Sequence, residues 1–318
     1  MKSNKYEIDM CNGSIMDKLV SFALPLMLSG ILQLMFNAVD IIVVGRFSGS
    51  EALAAVGSTT ALINVFTNLF IGISLGANVL AARFFATGRK EEMSETVHTS
   101  ITLALISGIL MAFVGLVFSK GALELMGTPE DVIGLSTLYM RIYFMGMPFF
   151  MLYNYGAAIL RAVGDTKRPL YFLIIAGVIN AGLNMVLVIV FGLGVAGVGI
   201  ATVFSQMVSC VLVLTCLCRA EGSYKLSFSK LSIKGYYLKQ IFQVGIPAGI
   251  QSTVINFSNA LLQSSVNSFG STAMAGYTAA NNILGFLYVS INSVTQACMS
   301  LSLIHISEPR DGATSRMP

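Results

Sequence analysis

Charge is what this sequence lacks most. Only 11% of its 318 residues are Asp, Glu, Lys or Arg, and 55% are hydrophobic, giving a mean hydropathy of +0.78. An average soluble domain carries about 25% charged residues. A soluble globular chain is thereby excluded, and an all-α, polytopic membrane helix bundle is predicted. Stretches of clustered lysine and arginine with aromatic partners are also missing, so the net charge of +4 excludes nucleic acid as a partner. Histidine is almost absent: His98 reads as interfacial at the start of a helix, and His305 lies near the end of the chain. The five cysteines, Cys11, Cys210, Cys216, Cys218 and Cys298, make no metal-ligand spacing with histidine and read as small apolar residues. There is no Ser/His/Asp grouping, glycine-rich phosphate loop or metal-ligand cluster, so neither an enzyme nor a cofactor is predicted. The pair in Gly192-Leu193-Gly194 joins two apolar runs and reads as a tight turn. No short apolar core with a small-residue cleavage site follows Lys2 and Lys5, so no removable signal peptide is expected.

What is present is hydrophobic length. Eight apolar segments, at 19–44, 52–82, 97–118, 133–158, 169–191, 195–217, 238–266 and 273–300, each approach the ~20 residues of a bilayer-spanning helix. Lysine and arginine orient them. With the amino terminus inside, the inner segments hold fourteen such residues and the outer segments only Arg46, Lys120 and Arg141. A cytoplasmic amino terminus in the plasma membrane is therefore expected. The chain also repeats: Pro25 and Pro247, Asn37 and Asn259, and Phe47 and Phe269 are each 222 positions apart. After a one-residue slip, Ala52-Leu53-Ala54 meets Ala273-Met274-Ala275 at an offset of 221. Two six-helix lobes related by an axis along the membrane normal would give this pattern. The expected organisation is a cytoplasmic segment over 1–18, a first six-helix lobe over 19–217 and a basic inter-lobe loop over 218–237. The first two helices of an incomplete second lobe then cover 238–300. The tail over 301–318 departs abruptly from what the repeat demands and is expected to be non-native, the chain then being truncated.

One charge sits where it is costly. Asp40 lies in an apolar run, and an ionised carboxylate in hydrocarbon costs about 2.5–3.5 kcal/mol on insertion scales. Gln33, Asn37 and Asp40 fall at i, i+4 and i+7, one narrow stripe of a helix. Asp40 is also near the outer end of its span, so snorkelling toward water is a competing account. Other stripes follow the same spacing: Asn180 and Asn184; Thr202 and Gln206, with Ser209; Asn256, Asn259, Gln263 and Asn267; and Asn281, Tyr288, Asn292 and Gln296. Any single stripe is equally explained by hydrogen bonding between helices. Recurring on so many helices, they point to a shared hydrated cavity. A half-dry carboxylate among amides and hydroxyls can take up a proton, or hold a sodium ion with its neighbours' oxygens. The repeat places Leu262 opposite Asp40, so the charged site is expected in the first lobe alone.

Three stretches in order carry a family resemblance. They are Ala23-Leu24-Pro25 leading to Asn37-Ala38-Val39-Asp40 and Gly45-Arg46; Leu160-Arg161-Ala162-Val163-Gly164-Asp165-Thr166-Lys167-Arg168-Pro169; and Gly197-Val198-Gly199-Ile200-Ala201-Thr202. Over about residues 14–300 the sequence resembles the multidrug and toxic compound extrusion (MATE) transporters. The resemblance implies twelve helices in two lobes around a central cleft. It also implies secondary efflux of organic cations or other amphipathic, drug-like small molecules in exchange for protons or sodium ions, by a monomer in the lipid bilayer. It implies further that Asp40 takes up the coupling cation beside Asn180, Asn184 and Thr202. Some members carry an acid where Asn184 stands, so the choice between proton and sodium stays open. Gln33, Asn37, Gln206, Asn256, Asn259, Gln263 and Asn292 are the expected cavity-lining residues. A flippase for lipid-linked precursors would share the superfold but calls for cations in its cleft. A membrane-embedded enzyme or receptor would need a catalytic cluster or a soluble domain that the sequence does not show.

Overall fold

The computed structural model describes residues 15–125, 128, 130–267 and 284–298, and among these the regular structure is helical throughout. Helix α1 runs Ile15–Phe47, α2 Gly49–Ala86 and α3 Lys90–Leu125. A tight turn links α1 to α2, made possible by Gly49 at φ 88°, a left-handed conformation that costs a side-chain-bearing residue dearly. The expected fourth span is not one helix but two: α4 over Glu130–Met145 and α5 over Met147–Ala162. Pro148 explains the break, because its ring would collide with the carbonyl one turn earlier and it has no N–H to donate. The chain compensates locally. Gly146 N–H donates to the Tyr143 carbonyl at 3.0 Å, and the Gly146 carbonyl accepts from both Phe149 and Phe150 at 3.1 Å.

Helix α6, Lys167–Asn184, passes directly into a π turn over Met185–Val190, and α7 follows over Gly194–Cys218. After a short 3-10 turn at Phe228–Lys230, α8 covers Gly235–Asn267 and α9 covers residues 284–298. The first three, sixth and seventh predicted segments reappear with longer ends, and the fifth reappears over 167–190. The beginning of the eighth, and the tail over 301–318, lie outside the described residues. Five of the described helices are long and apolar enough to cross a membrane. Their outer faces fit that solvent: on α3, Ile106, Ile109, Leu110, Phe113, Val117 and Phe118 are all exposed. Such a band is stable only against hydrocarbon.

The core lies where α3, α5 and α7 meet, around Met93, Val97, Ile101, Tyr155, Leu160, Val213 and Leu217. The stretch Gly164–Pro169 sits at its edge and has a structural role. Gly164, at φ 87°, ends α5, and the Asp165 N–H donates to the Leu160 carbonyl at 2.9 Å. Buried Asp165 then accepts the Arg168 backbone N–H at 3.1 Å and pairs with the Arg168 guanidinium at 3.2 Å. Arg168 reaches on to the Cys216 sulfur on α7 at 3.4 Å. One loop thus fixes α6 to both neighbours. His98, near the start of α3, is enclosed by the protein itself. It is buried, its Nδ1 is 2.7 Å from the Ser94 carbonyl, and its Nε2 accepts the Ser227 N–H at 3.1 Å. The segment between α7 and α8 is docked by that bond onto α3, which removes the imidazole from the surface.

Candidate functional site

The α1 stripe faces inward. Gln33, Asn37 and Asp40 all line a cavity of about 320 Å³, with Phe36 beside them. Opposite them α6 supplies Leu173, Ala176, Gly177 and Asn180, and α7 supplies Thr202, Ser205, Gln206 and Ser209. The α1 and α6 backbones come close because Gly177 has no side chain. A methyl there would overlap the Phe36 ring, so Phe36 seats in the gap and the next turn of α1 brings Asp40 to α6. A larger depression of about 550 Å³ runs along α8 past Leu238, Phe242, Ile246 and Pro247. It is shallow, open and nearly all apolar, so the polar cavity is the chemical site.

Asp40 is buried, at 8% exposure, and its carboxylate accepts from two sides. Asn184 Nδ2 donates to Oδ1, and Thr202 Oγ1 approaches Oδ2 at 3.4 Å. The threonine has a single hydroxyl proton, and its 2.9 Å approach to the Val198 carbonyl is the better bond. Its hold on Asp40 is accordingly loose. Asn184 spends its other N–H on the Asn180 amide oxygen at 3.2 Å. That leaves Asn184 Oδ1 buried without a hydrogen-bond partner, and Gln206 Oε1 is in the same condition. Orphaned buried oxygens are uncommon, because an unmade bond costs about 1–3 kcal/mol. Asn184 is also the last residue before the π turn Met185–Val190, a helix irregularity that recurs at functional sites. The donor set is oxygen only: one carboxylate, two amides and a hydroxyl. Such oxygens suit a proton or a hard monovalent cation rather than a transition metal. Among the described residues no three His, Cys, Asp or Glu gather as metal ligands.

The structure brings together Asp40, Asn180, Asn184 and Thr202, and puts Gln33, Asn37 and Gln206 on the cavity wall. Asn184 stands behind Asp40 rather than on the wall. Asn292, an expected cavity-lining residue, is exposed on α9 and is not among the residues around this pocket. The reason is helical phase: Val289, Ser293 and Ala297 form the face turned toward α1, and Asn292 points away from it. Asn256, Asn259 and Gln263 lie on α8, with side chains outside those described. Other wall residues had no part in the expectation: Asn64, Thr67 and Asn68 on α2, Tyr139 and Tyr143 on α4, and Tyr153 and Asn154 on α5. The i, i+4 spacing of Asn64 with Asn68 and of Tyr139 with Tyr143 was a usable signal. It was masked by their place in long apolar runs.

A family model described as MatE matches residues 25–186. The chain is similar to the probable multidrug resistance protein YoeA of Bacillus subtilis (strain 168), at 34% identity over 275 residues, covering 84% of this chain and 59% of YoeA. It is similar also to the probable multidrug resistance protein YpnP of the same organism, at 28% identity over 277 residues, covering 86% of this chain and 61% of YpnP. The chain thus spans about three-fifths of the length of these relatives. Among solved structures, a crystal structure of a MATE protein in a bent conformation superposes with a TM-score of 0.88 at 24% identity. That match covers 96% of this chain and 68% of the other, and it shows the shared fold.

Proposed function

The chain belongs to the MatE family, whose relatives are transporters and not enzymes, and on that footing we propose that it acts as a secondary active multidrug efflux antiporter. Its substrates are organic cations or other amphipathic small molecules, and protons or sodium ions move in exchange. The observation that carries this reading is Asp40, among the described residues the only charged side chain on a cavity wall otherwise made of amides, hydroxyls, aromatic rings and a few aliphatic groups. A cation, whether drug or coupling ion, finds one place there for its charge. The aromatic rings of Phe36, Tyr139, Tyr143, Phe150 and Tyr153 give an amphipathic molecule apolar area and a π-face.

The coupling site is Asp40 with Asn180, Asn184 and Thr202. When the carboxylate takes up a proton or a sodium ion, it gives up part of its hold on Asn184 Nδ2, and Asn184 is free to turn its orphaned oxygen toward the newcomer. A drug bound by the same negative charge then loses its counter-ion and leaves. Exchange follows because the two ligands favour different states of the same site. The amino terminus faces the cytoplasm of a plasma membrane, as the distribution of Lys and Arg favours.

The flippase reading is less well supported. A pyrophosphate-bearing substrate needs lysine or arginine around it, and among the described residues none lines the cavity. Proteoliposome efflux with separately imposed proton and sodium gradients tests the proposal. Gradient-driven drug transport by the parent protein should be lost in Asp40→Asn, and equal transport with unchanged cation dependence in that variant would rule out the assignment.

A further inference from the structure

The sequence repeat makes α8 the counterpart of α1 and α9 the counterpart of α2. Among the described residues, helices of the two repeats meet chiefly at two crossings, α2 with α8 and α1 with α9, with a slighter contact of α3 on α8. The crossings are built at equivalent positions. Gly76 meets Gly245 in the first; their counterparts at offsets of 221 and 222, Ala297 and Ala23, pack together in the second.

They differ in what touches. At α2·α8 the backbones themselves are in contact. Gly72-Ile73-Ser74-Leu75-Gly76 and Gly245-Ile246-Pro247-Ala248-Gly249 each have glycine four residues apart, which is the spacing of close helix association in membranes. A Cβ on Gly245 would stand 2.5 Å from Ile73 Cα, one on Gly249 2.6 Å from the Leu69 carbonyl oxygen, and one on Gly76 2.9 Å from the Gly245 nitrogen. None of these backbone atoms can yield to a side chain. At α1·α9 the contact is made by side chains: the Val289 methyls fill the space over Gly30, and Ala297 is buried in one cluster with Phe22, Ala23 and Leu26.

We infer that the two crossings are mechanically unequal: α2·α8 is the fixed fulcrum between the repeats, and α1·α9 is the crossing that parts. Without a hydrophobic drive between helices in lipid, association rests on packing. Parting α2 from α8 forfeits dispersion contact along two glycine faces and leaves grooves that lipid chains fill poorly. Parting α1 from α9 only releases apolar side-chain surfaces that lipid chains cover readily. Rotation about one tight pair while the other opens is the hinge form of domain motion. The inference stands apart from the transport proposal, since neither ion nor drug enters it.

Spin labels test it on the 318-residue chain in lipid nanodiscs, with the native cysteines replaced by serine. One pair of exposed sites spans α2·α8 (Val65→Cys with Val254→Cys), and the other spans α1·α9 (Leu28→Cys with Ile291→Cys). Dipolar distance distributions should be narrow across α2·α8 and about twofold broader, or split, across α1·α9. Equal widths, or a broader α2·α8 distribution, overturn the inference. In a second variant, Gly245→Ala, the α2·α8 mean distance should lengthen while the α1·α9 width changes little. An unchanged α2·α8 distance would show that glycine contact does not set the crossing and would overturn the inference too.

Discussion

Asp40 is held by an asparagine that has committed both of its N–H groups and left its oxygen unpaired. That arrangement makes Asn184 the positioning residue of the site. Replacing it by leucine, similar in volume, removes two donated bonds and strands a buried carboxylate. Asn184→Leu is expected to lower stability by about 1–3 kcal/mol, read from thermal unfolding of the detergent-solubilised protein. The Phe36–Gly177 contact admits a sharper prediction, because the overlap is steric and its partner is known. Gly177→Ala should cost about 1–3 kcal/mol through overpacking. Adding Phe36→Leu should recover part of that cost, and a double-mutant cycle on melting temperature measures how much. At this scale the stripe Gln33, Asn37 and Asp40 was legible in the sequence, since helical periodicity alone puts three such residues on one face. The hydrogen bond from Asn184, 144 positions away, was not. Only a resemblance could suggest it.

The elements repay attention at their ends and breaks. Length and apolar content located the helices, but Pro148 divides the fourth span in a way that hydropathy does not register. Pro25 and Pro247, by contrast, sit inside continuous helices. A proline therefore signals a possible break without deciding one. At the fourth span the break around Pro148 is accompanied by close packing on α3, where a Cβ on Gly108 would stand 2.5 Å from Pro148 Cα. The loop before α6 shows the converse case, a motif whose specificity is structural. Asp165 is 1% exposed and holds Arg168 at 3.2 Å, so truncating it leaves a guanidinium with its counter-charge gone. Asp165→Ala should destabilise by about 3 kcal/mol, seen as a lowered melting temperature, while leaving the cavity residues in place.

At the scale of the molecule, the exposed apolar faces of α3, α6 and α7 place the bundle in a bilayer, and the loops decide which way round. Cysteine accessibility in intact cells checks the proposed orientation, again with native cysteines removed. Thr128→Cys should react with an impermeant maleimide from outside, and Ser223→Cys only after permeabilisation. The reverse pattern would invert the topology. The segment that carries Ser223 is not a loose tether, since Tyr224 and Leu226 are buried and Ser227 is bound to His98. A histidine near a helix start ordinarily reads as interfacial. It was the tertiary docking of a loop, invisible to local pattern, that buried this one.

By itself the sequence determined the class, the helices, the repeat and the costly carboxylate. Each of these is written in local quantities: hydropathy over about twenty residues, the spacing of polar residues on one helix, and a fixed offset between two halves. Only the tertiary structure decided which stripes share a cavity, which amide serves Asp40, and where two helices touch backbone to backbone. Those outcomes depend on the phase and approach of helices far apart in the chain. Glycine faces and proline breaks set that phase and approach, and a residue's own neighbours in sequence do not encode them.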